Sequence, residues 1–239
     1  MRAARLIAEA RALEPVQLRQ LAGVHHAKQG RSRAKHDSLL AAGLRLLETE
    51  SFRAMTIGRI ASEAGCSVGT FYARFADKDA FLTAVQEYLY WRQLETARRQ
   101  FSPASRRHQP TDALIEDAVL FVISTFSGEA EGVLRAALIE SADKPFIWEP
   151  ARRTGRQLVE IIAQVLQPRV TSSVPAAIQM LYGTLINMIL HDPGPMKMSD
   201  ARSRRTLVRI MQAVFASGLP FRNAIGSTPE TPGRTKRPR

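Results

Sequence analysis

Apolar residues recur three and four positions apart along nearly the whole chain, and no sustained alternation of β-branched and polar residues interrupts them. That period predicts an all-α protein. In residues 36–50, Leu40, Leu44 and Leu47 share one face. A shorter helix follows, with Thr56 as its N-cap and Ile57, Ile60, Ala61 and Ala64 forming one inward stripe. Gly65 stops it. Ser67 caps the next helix, whose Phe71 and Phe75 lie one turn apart, and Asp77 caps a long fourth helix reaching about residue 100. Residues 101–110 read as a linker. Further helical patterns cover 112–127, 129–142, 149–166, 174–191 and 200–217, with Gly or Pro at most joins. The stretch 174–191 is apolar nearly all round, which predicts a helix buried on two sides, one of them against a partner. Pro175, Gln179 and Asn187 interrupt it, and it is short for a bilayer span of about 20 residues, so it reads as a buried helix and no membrane association is expected.

Charge adds a second pattern. The chain of 239 residues carries a formal charge of +12, but the excess lies at the ends. Residues 1–35 hold eight Lys or Arg against two Glu, and residues 221–239 five against one. Such ends are either arms that follow a polyanion or solvated tails. Leu6, Ala10, Leu13 and Val16 are spaced for a weak amphipathic helix in an otherwise unstructured lead, while the Pro-rich stretch after Leu219 is expected to be disordered. One cysteine, Cys66, excludes an internal disulfide and a Cys-cluster zinc site. Charges at Arg2, Arg5, Glu9 and Arg11 break any signal-peptide core, so a cytoplasmic protein is expected. The organisation is therefore a basic extension (1–30), a DNA-binding domain (31–82), a helical ligand-binding and dimerisation domain (83–219) and a basic tail (220–239).

Two short helices joined through Ala64, Gly65, Cys66 and Ser67 form a helix-turn-helix pattern, whose second helix enters the DNA major groove. Phe71, Phe75, Ile60 and Ala61 are placed to clamp the two helices, and Gly65 suits the left-handed turn. Gly69 and Thr70 sit in the first turn of the recognition helix, where backbone N–H groups face outward. Val68, Thr70 and Arg74 project from its outer face and are the candidates for sequence readout. Val68 either meets a thymine methyl or packs on the turn; Arg74 either grips a phosphate, the preferred reading, or pairs with guanine.

Thr56, Ile60, Ala61, Ala64, Gly65, Ser67, Gly69, Thr70, Phe71, Tyr72, Phe75, Lys78 and Leu82 together resemble the DNA-binding signature of the TetR family of transcriptional regulators, over residues 36–82. The resemblance implies a three-helix head joined by a long helix to a helical bundle that binds ligand and dimerises. It also implies that Tyr72, Lys78 and Thr56 bind phosphates, with packing against the fourth helix as the plainer reading of Tyr72. Three departures stand out. Ser51 occupies a place where relatives commonly have Gly, Gly58 lies inside the second helix, and Cys66 replaces the usual Val. Cys66 reads as a small buried hydrophobe rather than a redox sensor.

In the second half, Phe126, Trp148, Met180, Tyr182, Asn187 and Met188 are the candidate lining of an effector pocket, although aromatic and Met residues at helical spacing are more often core. Gln179 and His191 fall on the helix that carries Asn187. The stripe Leu207, Met211, Val214 and Phe215 pairs with 174–191 as the dimer interface typical of such relatives. No nucleophile motif, phosphate loop or metal spacing points to an enzyme, and no cofactor is expected. The expected function is a homodimeric repressor that binds a palindromic operator and is released by a small-molecule effector, against a signal-blind DNA-binding dimer without a pocket.

Overall fold

The computed structural model describes residues 30–170, 172–191 and 194–217. The basic extension up to residue 29 and the tail from residue 218 lie outside the described residues. Ten α-helices follow in order among them: α1 (Gly30–Thr49), α2 (Ile57–Glu63), α3 (Val68–Tyr72), α4 (Lys78–Gln100), α5 (Pro103–Arg106), α6 (Thr111–Ser124), α7 (Glu129–Glu140), α8 (Glu149–Leu166), α9 (Val174–His191) and α10 (Ala201–Ala216). No extended strand occurs among the described residues.

α1 to α3 and the start of α4 make a small head around an aromatic cluster. Phe71, Phe75 and Phe81 are fully buried, and their ring centroids lie 5.1–5.4 Å apart. His36 of α1 stacks on Phe75 at 5.3 Å. Each such ring pair contributes about 0.5–1.5 kcal/mol beyond simple burial. α4 has 23 residues and so is roughly 35 Å long; it leaves the head and packs along α8 in the body. There α6 lies against α10, and α9 against both α8 and α10.

Head and body also meet directly, where α7 crosses the C-terminal end of α1. Gly132 is the reason they can. A Cβ at that position would stand 1.8 Å from the carbonyl oxygen of Leu47, so any side chain would force the two helices apart.

Two sequence expectations change form. The linker after α4 contains the short α5 and is strapped down: Arg106 donates to Gln100 O at 2.5 Å and to Asp117 at 2.6 Å, while Arg169 reaches Gln109 O and Arg106 O at 2.6 and 2.7 Å. α9 buries Val174, Ala177, Ile178, Leu181, Leu185 and Ile189 on one side only. Its other side carries exposed Gln179, Met180, Asn187 and Leu190. It is the one described helix long and apolar enough to cross a membrane, and its apolar residues instead pack on α8 and α10.

Candidate nucleic-acid interface

Local hydrogen bonds set the two short helices. The Thr56 side chain accepts from Arg59 N at 3.1 Å and so closes the first turn of α2. Gly65 adopts φ 64°, the left-handed conformation that ends α2, and Cys66 N donates to Ala61 O at 2.9 Å across the turn. The Ser67 hydroxyl accepts from Thr70 N at 3.2 Å and lies 3.0 Å from the Thr70 hydroxyl. Cys66 is half-buried, and burial pushes its thiol above the usual range, away from the reactive thiolate.

These caps leave a distinct outer surface. Thr56, Ser67, Val68, Gly69 and Tyr72 are exposed, Val68 by 44% and Tyr72 by 51%, although Phe71 beside it is fully buried. Tyr72 meets the buried Phe71 ring edge-on at 5.7 Å. Thr70 is half-buried. Arg74 is half-buried too, and its Nη1 donates to Ala73 O at 3.0 Å, which turns part of the guanidinium back towards α3. Gly58 is exposed, and the nearest atom to a Cβ there would be the Thr56 hydroxyl at 3.9 Å, so nothing within the described chain requires a glycine.

Lys78 points inward. Its Nζ donates to Phe52 O at 2.7 Å and Met55 O at 2.8 Å and sits 4.5 Å from the Phe52 ring centroid. Burial lowers its pKa, opposed by the nearby Glu140 and Asp79 carboxylates. The ammonium thus ties α4 to the turn before α2. That turn holds through Ser51, whose carbonyl accepts from Ala54 N and Met55 N at 3.1 and 3.2 Å.

The same turn is joined to the body. Arg53 Nε donates to the buried Glu140 at the end of α7 at 2.8 Å, and Glu140 accordingly holds the guanidinium pKa above its ordinary value. Lys144 pairs with Asp79 at 2.5 Å, a hydrogen bond that raises the Lys144 pKa. Arg92 meets Glu129 at 2.8 Å. Sequence reading missed Arg53, Glu140 and Gly132, because residues separated by 87 positions carry no local periodicity that joins them.

The candidate effector residues divide. Phe126 is buried and its ring lies 5.3 Å from that of Tyr182, whose hydroxyl is buried with no hydrogen-bond partner among the described residues. Trp148 and Met188 are half-buried against the core. Met180 and Asn187 are exposed on the outer face of α9, with Gln179 and His191, so they are not brought together with Phe126.

Residues 39–85 match the family described as bacterial regulatory proteins, tetR family. Over 54 residues the chain is 41% identical to the uncharacterized HTH-type transcriptional regulator YerO of Bacillus subtilis (strain 168). That match spans 23% of this chain and 19% of the relative's length. The fold is similar to that of a TetR-family transcriptional regulator from Mesorhizobium loti MAFF303099, with a TM-score of 0.64, 17% identity and coverage of 80% of this chain and 98% of that one. It is also similar to the fatty acid degradation regulator FadR from Bacillus halodurans, with a TM-score of 0.53, 17% identity and coverage of 80% and 97%.

Proposed function

We propose, from the match of residues 39–85 to the TetR family of bacterial regulatory proteins, that the chain is a TetR-type homodimeric repressor that binds a palindromic operator and leaves it when a small molecule binds the body. The observation that carries the reading is the contrast within α3: Phe71 is fully buried while Val68 and Tyr72, three positions before and one after, stand in solvent. An aromatic ring and a branched aliphatic chain are left bare beside two exposed, capped helix starts, where backbone N–H groups attract phosphate.

On this reading Val68 and Thr70 face the bases. Tyr72, Thr56, Ser67 and Gly69 meet the backbone, and Arg74 unfolds from Ala73 O to reach a phosphate. Lys78 contributes through its first-turn N–H, its ammonium being engaged with Phe52 O and Met55 O. The outer face of α9, with Met180, Asn187 and Leu190, and Ile210 of α10 would be covered by the second protomer. Pairing places two recognition helices about 34–36 Å apart, one turn of DNA. The repressor acts where the DNA is, in the cytoplasm.

Selection of bound duplexes from a random pool tests the first half. A palindromic consensus is expected, with affinity that falls steeply as salt rises. Tyr72→Ala should abolish retention, and light scattering should give twice the chain mass. A monomer, or unchanged retention, overturns the reading. The rival, a dimer without an effector site, is less favoured because the Tyr182 hydroxyl is buried without a partner among the described residues.

A further inference from the structure

Resting on that sensing role, we infer that the interior between α4, the end of α6, α8 and α9 takes an uncharged ligand with an apolar body and two hydrogen-bond acceptors, held by Gln86 and Tyr182. Gln86 is completely buried on α4, and its Nε2 has no hydrogen-bond partner among the described residues. Its Oε1 accepts from the buried Tyr90 hydroxyl at a long 3.4 Å. The Tyr182 hydroxyl on α9 is buried and equally without a partner. Buried polar groups are nearly always satisfied, so two orphaned donors in one region call for an acceptor from outside the chain.

The end of α6 is the neighbour common to the two helices that carry these groups. Gln93 Nε2 donates to Thr125 O at 3.1 Å, which points that edge of α4 at the end of α6. Glu87 is bonded by Arg153, which points the other edge at α8. At about 100° per residue, Gln86 and Tyr90 project between those two edges. Tyr182 reaches this interior from the α6 end: its ring lies 5.3 Å from Phe126, next to Thr125, and its ring edge would lie 3.4 Å from a Cβ at Gly155, on the flank of α8 turned away from Arg153.

The charges fix the class. Gln86 is neutral, and burial pushes both Tyr90 and Tyr182 far above their ordinary pKa, so both phenols stay protonated. The charged groups at this edge, Glu87 and Arg153, already neutralise each other. A carboxylate ligand would have to displace Glu87, and a cation would have to displace Arg153. Ester, ketone or lactone oxygens satisfy both orphans without either cost.

Diethyl phthalate, with two ester carbonyls on an aromatic body, is the probe; monoethyl phthalate and benzyltriethylammonium are its anionic and cationic counterparts. Calorimetry on the full chain should show the diester binding at least tenfold more tightly than either ion. Tyr182→Phe and Gln86→Met should each weaken it about tenfold, the loss of one buried hydrogen bond. Without any probe, Tyr182→Phe should leave the melting temperature unchanged or raise it by about 2–4 °C, because the orphan is gone. If Gln86→Met does not fold, Tyr182→Phe carries the test alone. Preference for either ion, no binding by any probe, or a lower melting temperature for Tyr182→Phe overturns the inference. Adding operator duplex separates this from the repressor reading: tight diester binding that leaves the duplex bound supports the ligand class and sinks effector release.

Discussion

Head and body are built from the same helices to opposite standards of completion. In the head, caps at Thr56, Ser67 and Asp77 each fix one N–H of a helix start, and Lys78 satisfies two carbonyls of the turn. Three phenylalanines close the core. Both halves leave apolar side chains bare, Val68 and Tyr72 in the head and Met180, Leu190 and Ile210 in the body, but the body also keeps buried donors at Gln86 and Tyr182 without partners among the described residues. A surface that must present fixed atoms to DNA gains from rigidity, whereas a region that responds to other molecules must leave groups for them to satisfy. The difference therefore assigns fixed geometry to one half and unmet bonding capacity to the other.

Breaking the head's rigidity should have the largest effect. Phe75→Ala removes a ring with no exposure that touches Phe71, Phe81 and His36, and truncations of this kind cost about 3–5 kcal/mol. Urea denaturation should show that loss; a cost under about 1 kcal/mol would mean the aromatic cluster does not organise the head. Next comes the junction. Gly132→Ala puts a methyl group where the Leu47 carbonyl stands, and overpacking of this sort costs about 1–3 kcal/mol. Because the strain falls between α1 and α7, operator affinity should change with it, whereas Gly194→Ala, with nothing within 4 Å of the new Cβ, should change neither. Equal behaviour of the two variants would show that the junction does not transmit.

How much of this was legible beforehand follows the range of the interactions. Caps, the Gly65 turn and the Phe71 and Phe75 pair depend on residues within a few positions of one another, so the spacing of Thr56, Gly65 and Ser67 announced them. α8 and α9 ran to the residues expected, for the same reason. The inward turn of Lys78 was not legible, since its partners lie 23 and 26 positions away, and a basic residue beside a recognition helix reads as a phosphate ligand. Nor was the open face of α9: an all-round apolar pattern cannot say which side awaits a partner and which is covered within the chain. The effector candidates show the same limit, as periodicity set Met180 and Tyr182 side by side while the fold sends one outward and one inward.

The smallest effect on stability sharpens the comparison most. Ser67→Ala removes one cap bond from α3, and caps contribute roughly 1 kcal/mol. Tyr72→Phe removes only an exposed hydroxyl, and surface changes stay within about 0.5 kcal/mol. If α3 is a rigid presenting element, both variants should lose operator affinity beyond their stability cost, Ser67→Ala by loosening the first turn and Tyr72→Phe by losing a phosphate bond. Fluorescence anisotropy on the selected duplex, beside thermal melts, separates the two quantities. A Tyr72→Phe protein that melts and binds as the parent does would move the hydroxyl out of the interface and leave only the ring, in contact with sugar or base. Ser67→Ala distinguishes further, because the Ser67 and Thr70 hydroxyls lie 3.0 Å apart and losing one frees the other. Affinity that falls for Ser67→Ala and not for Thr70→Val would place the cap, rather than a base contact by Thr70, at the origin of tight binding.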